Sequence, residues 1–244
     1  MRVRGFFVTG TDTGVGKTVF SAALTRALER SGRRVAVMKP VASGAVRTAA
    51  GLRSEDALAL MAEASVGAPY ETVNPYCFLP PISPHIAAQE AGVHIELEVL
   101  QARYGVLAAA ADCVIVEGAG GWLAPIAPRA GMAEIARALD LPVILVVGMR
   151  LGCLNHALLT HESICARAAN FAGWVANGID PALERATENL AALRARLGEP
   201  LAIIPALELP GALPDLAATV ARLASGLESP RGAQYHDPRQ SGTP

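Results

Sequence analysis

At 244 residues the chain has room for one large α/β domain, and its 52% hydrophobic and 18% charged content excludes a disordered chain. The net charge of −1 provides no basic footprint for nucleic acid or an anionic membrane surface. No apolar run approaches the roughly 20 residues of a membrane span, and the amino-terminal apolar stretch is too short for a signal-peptide core, so a cytoplasmic protein is expected.

Short apolar runs alternate with longer amphipathic ones, the pattern of βα units around a parallel sheet. In chain order, a strand is expected at Val3–Thr9, then a helix at Lys17–Ser31 and a second strand at Arg34–Met38. A helix at Asp56–Ala64 leads to a further strand at Val73–Phe78, which Pro75 interrupts. A helix at Leu97–Ala111 precedes the strand Cys113–Glu117, and a helix at Met132–Leu139 precedes the strand Val143–Val147. Next come a helix at Leu154–Ala168, a strand at Phe171–Ala176 and a helix at Pro181–Leu197, with Asp180 as its cap. A strand at Leu201–Ile204 and a helix at Leu213–Ala224 close the series. The fold class is therefore α/β: a single domain with a mostly parallel, doubly wound sheet of about six to seven strands flanked by helices. The domain is expected over residues 1–228, with a flexible tail over 229–244, where hydrophobicity falls and proline and glycine rise.

Residues 10–18, GTDTGVGKT, lie between the first strand and the first helix. Five residues separate Gly10 from Gly16, where the usual phosphate loop has four. The strand–loop–helix setting still directs backbone N–H groups, a helix N-terminus and Lys17 at polyphosphate, and Thr18 offers a hydroxyl to Mg²⁺. Partitioning and septum-placing ATPases with deviant loops carry a lysine where this chain has Asp12.

Downstream residues extend the site. Glu117 ends the apolar strand CVIVE and precedes the turn GAGG, at the sheet edge where open α/β proteins bind ligands. It is a candidate ligand for a metal or a water. Asp56 stands at a helix start, where favourable interaction with the helix dipole is, taken alone, the better explanation. Lys39 ends the second strand, where lysines are commonly just solvated; its strand is expected to neighbour the loop-bearing strand, which would instead bring Lys39 and Lys17 together on one anionic group. In VVGMRLGCLN, the helix opened by Gly152 with Cys153, Leu154 and Asn155 could hold a carboxylate or be an ordinary βα turn. Four scattered cysteines read as reduced thiols, and the five histidines show no metal-ligand spacing.

Taken together, TGTDTGVGKT, KPVASG, GLRSEDALAL, TVNPYCF, SPHIAA, VEGAGGW, LPVILVVG with LGCLNHALLT, and GWVAN make the chain similar to the dethiobiotin synthetases, P-loop enzymes of biotin biosynthesis. The resemblance runs from Val8 to Asn177, roughly three-quarters of the chain. It implies ATP-dependent carboxylation and ring closure of 7,8-diaminononanoate with CO₂. The route passes through a carbamate and a carbamic–phosphoric anhydride to dethiobiotin, ADP and phosphate. By resemblance, Gly14, Val15, Gly16, Lys17, Thr18 and Val19 would cradle ATP, and Thr18, Asp56 and Glu117 would hold Mg²⁺. Gly118, Ala119 and Gly120 would line the nucleotide site, while Asn177, Gly178, Pro205, Ala206 and Leu207 would meet the adenine. Lys17 and Lys39 would act on the carbamate, and Thr13 and Ser43 would contact substrate. Gly152, Cys153, Leu154 and Asn155 would bind the substrate carboxylate from a partner subunit, implying a homodimer.

The alternative is a P-loop switch or partitioning-type ATPase acting with a macromolecular partner, against which Asp12 and the absence of a basic patch both argue. A related amide ligase of the cobyric acid type would need a glutaminase domain with its own nucleophilic cysteine, for which the chain leaves little room.

Overall fold

The apolar runs assemble into one six-stranded parallel sheet in the computed structural model, which describes residues 5–167, 169–206 and 213–228. The amino-terminal part comprises β1 (Gly5–Gly10), α1 (Lys17–Arg30), β2 (Val35–Met38), β3 (Val41–Ala42), β4 (Val46–Thr48), β5 (Gly51–Arg53) and α2 (Glu55–Glu63). There follow α3 (Tyr70–Val73), β6 (Tyr76–Cys77), α4 (Pro84–Glu90), α5 (Leu97–Ala110), β7 (Cys113–Glu117), β8 (Pro125–Ala127), β9 (Ala130–Gly131) and α6 (Met132–Ala138). The last part contains β10 (Val143–Met149), α7 (Cys153–Ala166), β11 (Phe171–Gly178), α8 (Ala186–Leu197), β12 (Ala202–Ile204) and α9 (Ala217–Glu228).

The sheet order is β12-β11-β10-β1-β7-β2, and every pairing in it is parallel. Its strands are almost continuously apolar because helices cover both faces. Alternate residues divide between two cores, as a period of two requires. Phe7, Met38, Val116 and Leu145 face the core shared with α5, α6, α7 and α8. Phe6, Val8, Val37, Ile115 and Val146 face the core shared with α1, α2 and α9. On α1, Phe20, Leu24 and Leu28 recur at helical spacing and are fully buried, each contributing about 1.5–3 kcal/mol by leaving water.

The structure corrects several sequence expectations. The strand beside β2 is β7, not β1, so Glu117 lies between the lysine-bearing strand and the phosphate-loop strand. The expected strand at Val73–Phe78 reduces to Tyr76–Cys77 and pairs with Val41–Ala42 outside the main sheet; Pro75 cannot donate a ladder hydrogen bond there. α8 begins at Ala186 rather than Pro181. Asp180 caps a turn, its Oδ1 accepting from the Ala182 N–H at 2.9 Å, and Arg185 holds the helix N-cap. Two antiparallel hairpins, β4–β5 and β8–β9, were not expected from the sequence. Leu207 and the expected tail at 229–244 lie outside the described residues.

Candidate active site

The carboxyl edge of β1, β2 and β7 carries the loops that define a cavity of about 760 Å³. Its walls include Thr13, Gly14, Gly16, Lys17, Thr18 and Val19 from the phosphate loop and α1. Lys39 and Ser43 enter after β2, Asp56 from α2, and Ala119 and Gly120 after β7. Residues spread over 108 sequence positions therefore meet because their strands end on one edge. The segment Pro81–Pro84 closes another wall, and nothing in its residue types announced that role.

The loop is shaped by Gly16, which sits at φ 88° and leads into α1. A side chain there would meet the Asn177 amide, since an added Cβ would fall 2.0 Å from its Nδ2. Asn177, at the end of β11, donates from Nδ2 to the Val15 carbonyl at 2.8 Å. The loop is pinned on its other flank by Asp12. The Asp12 carboxylate accepts from Arg150 at 2.6 Å and from the Thr13 N–H at 2.7 Å, and its carbonyl accepts from Lys17 Nζ at 2.9 Å. Arg150 thus joins the phosphate loop to the turn before α7. Its position directly after an apolar strand is the same signal that singled out Lys39.

A compact charged cluster forms the floor. Lys39 Nζ donates to Glu117 Oε1 at 2.6 Å, to Asp56 Oδ2 at 2.7 Å and to the Gly118 carbonyl at 3.3 Å. Three N–H groups meet three acceptors. Glu117 is fully buried and Lys39 nearly so, while Asp56 is half-exposed. Burial alone would lower the Lys39 pKa, but the Glu117 and Asp56 carboxylates outweigh it and hold the ammonium above its ordinary value. Burial likewise works to raise Asp56, and the Lys39 charge overrides it, holding the carboxyl below its ordinary value. Lys17 is lowered to about 8, first by burial and then by the Lys39 charge.

The Thr18 hydroxyl lies 2.9 Å from both Asp56 Oδ1 and Glu117 Oε1. One hydroxyl proton cannot serve two carboxylates. In addition, Glu117 Oε2 is buried without a hydrogen-bond partner among the described residues. A hydroxyl, two carboxylates and an orphaned carboxylate oxygen make a hard, all-oxygen donor set that suits Mg²⁺, which needs only one or two protein carboxylates beside waters and phosphates.

The remaining sequence candidates sit apart from this cavity. Gly178, Pro205 and Ala206 border a second, mainly apolar cavity of about 280 Å³ at the ends of β11 and β12. An added Cβ on Gly178 would fall 2.8 Å from the Ala206 nitrogen, so the two segments approach backbone to backbone. Gly118 is buried, its N–H bonded to the Val8 carbonyl. Gly152 is the N-cap of α7, Cys153 turns into the core, and Leu154 and Asn155 complete the first helical turn. None of these four borders the 760 Å³ cavity.

Comparison with known proteins finds relatives over most of the chain. Residues 4–222 match the AAA domain family AAA_26. The chain is 53% identical over 205 residues to a Pseudomonas aeruginosa protein named ATP-dependent dethiobiotin synthetase BioD, covering 83% of this chain and 90% of that protein. An Aromatoleum aromaticum protein of the same name is 50% identical over 221 residues, covering 90% of this chain and 97% of its own length. Among solved structures, the MinC:MinD cell division protein complex of Aquifex aeolicus aligns with a TM-score of 0.55 at 16% identity, covering 96% of this chain and 100% of that one. That likeness concerns the fold alone. With half of its residues shared over nearly the full length of these relatives, the chain belongs to the ATP-dependent dethiobiotin synthetase family of ligase-type enzymes.

Proposed function

We propose that this enzyme converts 7,8-diaminononanoate, CO₂ and ATP into dethiobiotin, ADP and phosphate. The observation that carries the reading is the convergence of Lys17, Thr18, Lys39, Asp56 and Glu117 on one cavity beside a phosphate loop. In the proposed route one substrate amine takes up CO₂ and loses a proton, giving a carbamate. A carbamate oxygen attacks the terminal phosphorus of ATP, ADP departs, and a carbamic–phosphoric anhydride results. The second amine attacks the carbonyl carbon and loses its proton as the C–O bond to phosphate breaks. The ureido ring closes and phosphate leaves.

The residues suit these demands. The N–H groups of Gly14 through Val19 and the start of α1 would hold the polyphosphate, with Gly118, Ala119 and Gly120 beside it. Thr18, Asp56 and Glu117 would hold Mg²⁺, which when bound would neutralise polyphosphate charge. Lys17 and Lys39 would face the transferring phosphoryl group and the carbamate, where fixed positive charge in a water-poor site is worth most. Thr13 and Ser43 would orient the diamine; tethering of its second amine gives ring closure a high effective molarity. Asn177, Gly178, Pro205 and Ala206 would bound the adenine. The α7 N-terminus at Gly152–Asn155 lies outside the cavity of its own chain, beside the 91%-exposed Leu151. This supports a homodimer in which a second copy supplies that turn to the substrate carboxylate.

The test is mass spectrometry after incubating the protein with 7,8-diaminononanoate, bicarbonate, ATP and Mg²⁺. Dethiobiotin should appear in step with ADP. ATP hydrolysis without a ureido product would count against the reading and return the alternative of a nucleotide switch.

A further inference from the structure

Lys39 and Asp56 lie in different parts of the chain, yet one largely buried segment bonds both the backbone of Lys39 and that of Ser54, the N-cap of the helix that carries Asp56. The Lys39 N–H donates to the Val73 carbonyl at 2.8 Å, and the Lys39 carbonyl accepts from Asn74 Nδ2 at 2.6 Å. Both main-chain groups of the lysine are thereby fixed by consecutive residues of a segment more than 30 positions away. The same segment reaches α2. The Tyr70 hydroxyl donates to Asn74 Oδ1 at 2.8 Å and accepts from the Ser54 N–H at 2.6 Å. Ser54 is the N-cap of α2, its Oγ accepting from the Ala57 N–H, and Asp56 is the second residue of that helix. Asn74 and Ser54 are buried, and the Tyr70 ring lies under the Arg53 guanidinium at 4.1 Å.

β2 is an edge strand of the main sheet, so the chain beyond it has an open side. The Tyr70–Cys77 segment fills that side, with Tyr76 and Cys77 pairing with Val41 and Ala42. The chain Lys39–Asn74–Tyr70–Ser54 is continuous in hydrogen bonds from one charged residue of the site to the helix that presents the other. Neither Tyr70 nor Asn74 borders the cavity, so neither touches a substrate.

We infer that Tyr70 and Asn74 are positioning residues that set the separation of Lys39 and Asp56, and through it the geometry of the Thr18–Asp56–Glu117 cation site. The inference rests on the nucleotide and metal roles proposed above. Polar partners behind metal ligands commonly carry a tenfold or larger share of affinity or rate, and buried networks of this kind fix one arrangement only when every member is satisfied.

Tyr70→Phe removes a single oxygen and keeps the ring against Arg53. Calorimetry on the full chain should compare ATP binding with and without Mg²⁺, in the absence of diamine. Metal-free affinity should stay within about twofold, while the gain in affinity on adding Mg²⁺ should shrink by about tenfold. The same substitution in an Asp56→Asn background should add less than about twofold, because the two changes remove one effect. Asn74→Ala should reproduce the loss; if it does not fold, Tyr70→Phe decides alone. An unchanged metal-dependent gain in Tyr70→Phe, or an equal loss in the Asp56→Asn background, would overturn the inference. Binding is read without the diamine, so a wild type that makes no dethiobiotin would defeat the proposed function and leave this result standing.

Discussion

The two halves of the sheet's carboxyl edge are built differently. Over β1, β7 and β2 the edge carries buried charge: Lys39 against Glu117 and Asp56, with Lys17 beside them. Over β10, β11 and β12 it carries backbone groups, glycines and the Asn177 amide, with one partly exposed charge, Arg150, turned to Asp12 of the phosphate loop. The first half is suited to stabilising charge that moves during a reaction. The second is suited to holding a flat or neutral group by shape, at little electrostatic cost.

The contrast can be broken most severely at Lys39. Lys39→Ala leaves the fully buried Glu117 without its ammonium, and destabilisation of about 3–5 kcal/mol should appear in thermal or urea melts. Turnover should fall by about a hundredfold or more, even where the folded fraction is restored by lower temperature. Gly16→Ala strikes where the two halves meet. Its backbone sits at φ 88° and its Cβ would collide with the Asn177 amide, so ATP affinity measured by calorimetry should fall by about thirtyfold, equivalent to 2 kcal/mol of backbone and contact strain. Asn177→Ala should cost about 1–2 kcal/mol of stability by leaving the buried Val15 carbonyl unpaired, with ATP affinity reduced by less than in Gly16→Ala.

Proton linkage sharpens the comparison further. Lys17 is lowered to about 8, and polyphosphate favours its charged form. Affinity should therefore be fully present below pH 8 and fall as the pH rises above it, because binding must then draw a proton from solvent. The slope should approach about tenfold per pH unit, and Lys17→Met should flatten it. The smallest effect is expected at Arg150, whose bond to Asp12 is partly exposed. Arg150→Ala should cost less than about 1 kcal/mol of stability and change turnover a few-fold through the loop it steadies.

The charged half was the more legible in sequence. Lysines and acids at strand ends advertise themselves by identity, and GKT after an apolar strand fixes a phosphate loop whatever its spacing. Order across the sheet was not legible. Expecting Lys39 next to the loop strand missed β7, because the apolar pattern of a strand does not say which neighbour it will take. The start of α8 was misread because Asp180 and Pro181 carry helix-start signals that a preceding turn uses equally well. Asn74 lies in the motif TVNPYCF, but neither its role nor that of Tyr70 showed in sequence, because the bonds that reach residues 54 and 39 are to main-chain groups and leave no pattern in residue type. Close backbone approach, as at Gly178 and Ala206, is likewise a property of the folded chain.

The most direct measurement follows oxygen. In a short incubation with heavy-oxygen-labelled carbon dioxide, diamine, ATP and Mg²⁺, one carbamate oxygen should leave with the phosphoryl group. Heavy oxygen should appear in the released phosphate, in step with dethiobiotin formation. Dethiobiotin accompanied by unlabelled phosphate would contradict activation through a carbamic–phosphoric anhydride.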